Sequence, residues 1–234
     1  TYAYEVIRII HAKPLFLELH LHRLMNSCQA LKYPPVDVSG LIAEVKQLIK
    51  VNLLEQINIK IMIHGNQRVL FPIESHYPSK EQYLRGVQCS LLFEEREKPE
   101  VKAHQSLLRE KSNKQIQSME IYESVLVNKQ GLITEGSRSN LFFIKEDVIR
   151  TAKDALVLGG ITRMKVLGIC QSLDVKTSLK AISVEELESC NAAFICGTSP
   201  GVLAIQSIEN HSFDVQNPVL RKIHHSYHNK YLNQ

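Results

Sequence analysis

Residues 133–143, Ile-Thr-Glu-Gly-Ser-Arg-Ser-Asn-Leu-Phe-Phe, constrain the fold more than any other stretch, because they set a carboxylate and a tight polar turn between two apolar runs. Residues 122–127 upstream and 140–144 downstream read as buried strands, and Gly131 and Gly136 permit the reversals between them. This places Glu135 at a strand end, near the interior and held by the turn. A bare surface turn accounts for the Gly and Ser residues. It gives no reason for a Glu beside Asn and Leu-Phe-Phe.

At 234 residues the chain can bury a large core without covalent staples. Its five cysteines, Cys28, Cys89, Cys170, Cys190 and Cys196, are odd in number and sit in apolar contexts, which predicts buried thiols in a reducing compartment and a cytoplasmic location. No apolar run approaches the ~20 residues of a membrane span, and no signal peptide is recognised, since Thr1 leads straight into a strand-like run. The opening on Thr1 rather than Met predicts further residues ahead of it. The net charge of +4 is spread along the chain, without the Lys/Arg clusters or basic-aromatic interleaving of a nucleic-acid surface. Such a balance suits small anionic ligands, which a few focused cations hold.

Periodicity predicts an α+β chain of two lobes. Residues 5–10 and 14–17 read as strands, 18–31 and 38–51 as amphipathic helices, and 57–64, 69–73 and 87–93 as further strands built on antiparallel hairpins. The charged segment 94–101 with Pro99 reads as a linker, which gives an N-terminal lobe over 1–98, a linker over 99–102 and a C-terminal lobe over 103–234, hinged near 99–105. Helices are expected over 105–118, 163–173 and 184–190, with strands at 148–151 and near Val175, and 192–196 as the final apolar strand.

Two glycine-containing turns offer anion sites. Leu158-Gly159-Gly160-Ile161-Thr162-Arg163 opens a helix, where outward N–H groups and the helix dipole favour a phosphate at Ile161 and Thr162. The plainer alternative makes Thr162 a helix cap. Cys196-Gly197-Thr198-Ser199-Pro200-Gly201 follows a strand, and neither turn has the spacing of a P-loop or a Rossmann fingerprint. His20 and His22 fall on different faces of a helix and are not a metal pair, and His224, His225 and His228 lack nearby Cys or acidic ligands, so no metal is expected.

Four motifs in order, Tyr4-Glu5-Val6-Ile7-Arg8, His20-Leu21-His22-Arg23-Leu24 with Ser27, residues 133–142, and Leu158 to Arg163 with Gly197-Thr198-Ser199, resemble the fold-type IV pyridoxal-phosphate enzymes. That family comprises branched-chain aminotransferases, D-amino-acid aminotransferases and 4-amino-4-deoxychorismate lyases, and the resemblance covers nearly the whole chain. It implies a two-lobed D-amino-acid aminotransferase-like fold with pyridoxal 5′-phosphate between the lobes, and a homodimer. Arg23 is then similar to the family's phosphate-binding arginine, a fork suited to a dianion. Lys102, 33 positions before Glu135, takes the place of the lysine that bonds the cofactor, ahead of Lys98 in the linker and Lys111 on a polar helix face.

Glu135 resembles the carboxylate partner of the cofactor's ring nitrogen, so that Lys102 and Glu135 are the expected catalytic pair. Leu158 would pack on the ring, and Gly160, Ile161, Thr162 and Thr198 would hold the phosphate with Arg23. Tyr4, Lys60 and the Gly197-Thr198-Ser199 turn would face the substrate. Lys60 stands where branched-chain transaminases carry an Arg, keeping the charge without the fork, and Ala103-His104-Gln105-Ser106 departs from the Asn or Tyr that relatives carry after the lysine. The implied activity moves an amino group between an amino acid, of the branched-chain kind for example, and a keto acid. The alternative is a lyase that releases pyruvate and 4-aminobenzoate from aminodeoxychorismate for folate synthesis. A scaffold that has lost activity is disfavoured by the retention of Arg23, Lys102 and Glu135 together.

Overall fold

The computed structural model describes residues 1–233, which divide into two compact units. The first comprises 1–77 and 101–105, the second 78–100 and 106–233. Its boundaries differ from a cut at the 99–102 linker for a reason of pairing. Strand Val87–Leu92 hydrogen-bonds in parallel to Gly201–Ile208 and to Glu123–Val127, so it belongs with the second unit. Residues 101–105 instead return to the N-terminal strand, through a bridge of Ala103 to Ala3 and the bonds Tyr4 N–H to Lys102 O (3.1 Å) and His104 N–H to Tyr2 O (3.0 Å).

The first unit is a four-stranded antiparallel sheet in the order Lys13–Pro14, Ala3–Ile10, Gln56–His64, Gln67–Ile73. Along Ala3–Ile10 every second residue is buried, so Ala3, Ile7 and Ile9 pack with Leu21, Leu24, Val45 and Ile49 of helices Leu17–Ala30 and Val38–Val51. The alternation that buries these apolar side chains also turns Glu5 inward, to 0% exposure. Asp37 caps the second helix by accepting from Gly40 N–H. The strand expected over 14–17 is only Lys13–Pro14, because Leu17 already begins the helix and packs on its core.

The second unit is built on a ten-stranded sheet whose central strands close on themselves. Asn140–Lys145, Ala192–Gly197, Gly201–Ile208, Val87–Leu92, Glu123–Val127 and Leu132–Gly136 follow one another, and the last pairs back to the first at Glu135 with Asn140. This closure makes a six-stranded barrel without free edges among those strands. One buried cluster gathers Val125, Val127, Ile133, Leu141, Ile195 and Leu203. A second gathers Phe142, Phe194 and Val202 with Val166 and Ile169 of helix Ile161–Ser172 and Leu220, Ile223 and Tyr227 of helix Pro218–Tyr231.

Ala192–Gly197 is not the final apolar strand. Gly201–Ile208 follows it after a three-residue turn and pairs with Ala192–Gly197, Val87–Leu92 and His211–Ser212. Residues 185–189 form a 3-10 turn rather than part of a longer helix, and the strand near Val175 is Thr177–Ser178. All five cysteines are buried and free, and burial pushes their thiols above the ordinary range. Among the described residues no helix is long and apolar enough to cross a membrane, and no group of three or more His, Cys, Asp or Glu could hold a metal ion.

Candidate active site

In the first unit the expected residues gather around the N-terminal strand. Arg23 grips Glu5 in a bidentate pair, Nε to Oε1 and Nη2 to Oε2, both at 2.7 Å, and His20 Nδ1 donates to Glu5 Oε2 at 2.7 Å. Burial alone would push Glu5 upward. The Arg23 charge and hydrogen bonds, with those from His20, outweigh it and hold the carboxyl down at about 2. Burial also lowers His20, against the pull of Glu5, so its imidazole is neutral at pH 7 and acts as a donor. Glu5 thus fixes the plane of the Arg23 guanidinium. The sequence places Glu5 in a motif but gives no sign that it is the brace of Arg23; the inward register of its strand was the available signal.

Ser27 joins this cluster to Lys102. Its hydroxyl donates to Arg23 O at 3.0 Å and accepts from Lys102 N–H at 3.1 Å. The Lys102 side chain is partly exposed, and its Nζ lies 4.8 Å from the centre of the Tyr4 ring. Lys60 approaches the same ring, with Nζ at 5.2 Å, and the Tyr2 ring at 5.4 Å. His104 stacks on Tyr2 at 4.9 Å, so the residue that departs from the family pattern lies against the aromatic pair Tyr2 and Tyr4. His22 is exposed, whereas His20 is buried, as their spacing on one helix requires.

In the second unit, Glu135 is 2% exposed and both its oxygens are held. Arg96 Nε donates to Oε1 at 2.8 Å and Leu158 N–H donates to Oε2 at 3.1 Å. Arg96 lies in the charged segment read from sequence as linker, and nothing in that composition distinguishes it from its neighbours. Asn140 pairs with Glu135 on one side and with Cys196 on the other, so Glu135, Asn140 and the Gly197 turn share one end of the barrel. Asn140 Nδ2 also donates to Leu158 O at 3.0 Å.

Helix Ile161–Ser172 begins beside this point. Its N-cap is Gly160, no side chain caps it, and Thr162 is its second residue rather than its cap. A Cβ on Gly160 would lie 1.9 Å from Asn140 Oδ1, so only glycine lets the backbone approach the barrel end this closely. The uncapped start of this helix, with the Ile161 and Thr162 amides and the Thr162 hydroxyl, has the donor chemistry of an anion site.

Thr198, Ser199 and Pro200 form the turn between Gly197 and Gly201. Tyr83 OH donates to Pro200 O at 2.9 Å, and His224 Nδ1 lies 2.9 Å from Val202 O. Gly201 has φ +61°, and a Cβ there would strike Leu232 and His228, so the turn requires glycine. Tyr4, Arg23, Lys60 and Lys102 thus collect in the first unit. Glu135, Leu158, Gly160, Ile161, Thr162, Gly197, Thr198 and Ser199 belong to the second.

The chain is similar to known proteins over most of its length. The family model described as amino-transferase class IV matches residues 2–208. D-alanine aminotransferase of Bacillus licheniformis is 28% identical over 228 residues, covering 88% of this chain and 78% of that protein. A solved putative 4-amino-4-deoxychorismate lyase of Legionella pneumophila superposes with a TM-score of 0.86 at 21% identity, over 96% of this chain and 89% of that one. The branched-chain amino acid aminotransferase of T.th., solved with pyridoxamine 5′-phosphate, gives a TM-score of 0.86 at 20% identity, over 97% and 84%. The chain belongs to the class IV aminotransferases, an enzyme family whose cofactor is pyridoxal 5′-phosphate.

Proposed function

We propose that this chain moves an amino group between an amino acid and a keto acid, with Lys102 as the lysine that bonds pyridoxal 5′-phosphate. The observation that carries this reading is the Glu135 carboxylate, buried and anchored on both oxygens by Arg96 and the Leu158 amide. A carboxylate held in this way can accept the N–H of a pyridinium ring. The residues present therefore fit the cofactor: a carboxylate for the ring nitrogen, an amine for the carbonyl, and an uncapped helix start with a braced arginine for the phosphate.

When bound, the cofactor supplies an electron-poor ring that accepts the electrons left when Cα of the substrate loses its proton. Lys102 would then serve as base and acid, taking the Cα proton at Nζ and delivering it to the cofactor's carbonyl carbon. Glu135 would keep the ring nitrogen protonated, Arg23, Ile161, Thr162 and Thr198 would each offer a donor to the phosphate, and Leu158 would pack on the ring. Tyr4, Lys60 and the Gly197-Thr198-Ser199 turn hold the substrate. The Lys60 ammonium supports a carboxylate-bearing partner. The family resemblance supports a homodimer, and five buried free thiols support a cytoplasmic setting.

The test presents the cofactor-loaded protein with amino acids, one at a time, and follows its absorbance. An amino donor is expected to convert the cofactor to its aminated form and release a keto acid, and a second keto acid is expected to restore the first spectrum. Release of pyruvate from aminodeoxychorismate, with no response to any amino acid, would replace transamination by the lyase reaction.

A further inference from the structure

The Glu123 carboxylate is 3% exposed and has had no part in the chemistry so far. It opens strand Glu123–Val127, on the same face as Val125 and Val127 by alternation. Four donors converge on it. Ser124 N–H (3.0 Å) and the Ser137 hydroxyl (2.7 Å) reach Oε1, while Arg138 N–H (3.2 Å) and the Ser139 hydroxyl (2.8 Å) reach Oε2. Three of these come from consecutive residues, 137–139, which form the turn between Glu135-Gly136 and Asn140. The turn is packed down on the carboxylate: a Cβ on Gly136 would lie 2.2 Å from Ser139 Oγ and 2.9 Å from Glu123 Oε2.

Two of the four donors are backbone N–H groups, which cannot reverse their polarity as a hydroxyl can. Only an ionised carboxylate accepts from all four at once. The turn so held also leads to Glu135. The Ser137 carbonyl accepts from Arg96 Nη2 at 3.2 Å, and Arg96 Nε holds Glu135 Oε1 at 2.8 Å. Glu123, Ser137, Arg96 and Glu135 are thus linked in one continuous chain of hydrogen bonds.

We propose that Glu123 is a positioning residue: by clamping the 137–139 turn it fixes the Ser137 carbonyl that orients Arg96, and so sets the Glu135 carboxylate against the cofactor's ring nitrogen. This rests on the reading of Glu135 given above. Glu123→Gln keeps the volume but presents an NH2 group where a backbone N–H needs an acceptor. Arg96 then loses a fixed acceptor, and a misplacement near 1 Å in a catalytic group costs about a hundredfold in rate.

The experiment titrates pyridoxal phosphate into wild type, Glu123→Gln, Arg96→Lys and the double variant, following absorbance across pH, and records melting of each cofactor-free protein. Glu123→Gln is expected to weaken cofactor binding about tenfold and to lower turnover per bound cofactor. It should also shift the pH response of the cofactor band. The double variant should be little worse than Arg96→Lys alone, because both act through one chain of contacts. A lowered melting temperature with unchanged affinity, band and turnover per bound cofactor would reduce Glu123 to a fold staple and overturn the proposal.

If Glu123→Gln does not fold, Ser139→Ala, which removes one donor and keeps the carboxylate, decides by the same readouts. Glu135→Gln separates the two claims. If it too leaves the band and turnover unchanged, the reading of Glu135 fails; if it alters them while Glu123→Gln does not, only the positioning role fails.

Discussion

Replacing Lys102 by alanine is expected to lower turnover by roughly a thousandfold or more while leaving the fold intact. The loss is large because one amine is asked both to bond the cofactor and to carry the proton. The fold should survive, because two of the contacts that seat this residue are made by its backbone: Lys102 N–H to the Ser27 hydroxyl and Lys102 O from Tyr4 N–H. Alanine keeps both. The side chain gives up a cation–π contact with Tyr4, worth about 0.5–1 kcal/mol when partly solvated. That corresponds to a melting shift of no more than about 4 °C for a chain of this size. Turnover and melting measured on the same preparation check both halves; full activity with an amino acid would remove Lys102 from the chemistry.

Glu5→Gln should have the opposite profile, a large loss of stability. It leaves the Arg23 guanidinium largely buried without its counter-charge, and breaking a buried pair in this way costs about 3–5 kcal/mol. Denaturant titration measures it. The pH dependence has a definite sign. Glu5 is held at about 2 in the folded protein, against 4.5 for the free group, so its contribution is complete above pH 4.5 and is lost as pH falls toward 2. His20 is also lowered, so acid begins to favour unfolding once pH drops below 6.5, where the unfolded imidazole takes up a proton that the folded one resists. Wild type should lose stability through both windows, and Glu5→Gln should lack the lower one. Equal slopes below pH 4.5 would deny the Arg23–Glu5 pair its role.

The parts of the fold that sequence made legible were those with a local signature. Helix Val38–Val51 carries an N-cap Asp37 and a clean apolar stripe, and strand Leu132–Gly136 ends on the glycine and polar turn that announce it. Gly201–Ile208 was not recognised, because it starts directly from a turn whose glycine and proline read as loop, and its place beside Val87–Leu92 comes from a partner distant in sequence. The same holds for the site. Arg23 and Glu135 belong to recognisable motifs, and Lys102 is placed by its distance from Glu135. Arg96 and Glu123, which hold Glu135 and its turn, are ordinary charged residues in sequence and acquire meaning only when strands 123–127, 132–136 and 140–145 are assembled. The domain limits follow this rule too, since residues 101–105 are assigned by a bridge to Ala3.

Borohydride reduction tests whether Lys102 bonds the cofactor. The protein is loaded with pyridoxal phosphate, reduced to make the link permanent, digested, and its peptides are mapped by mass. A single phosphopyridoxyl group on Lys102 is the expected result. A group on Lys60, Lys98 or Lys111 instead, or none on any lysine, would contradict it.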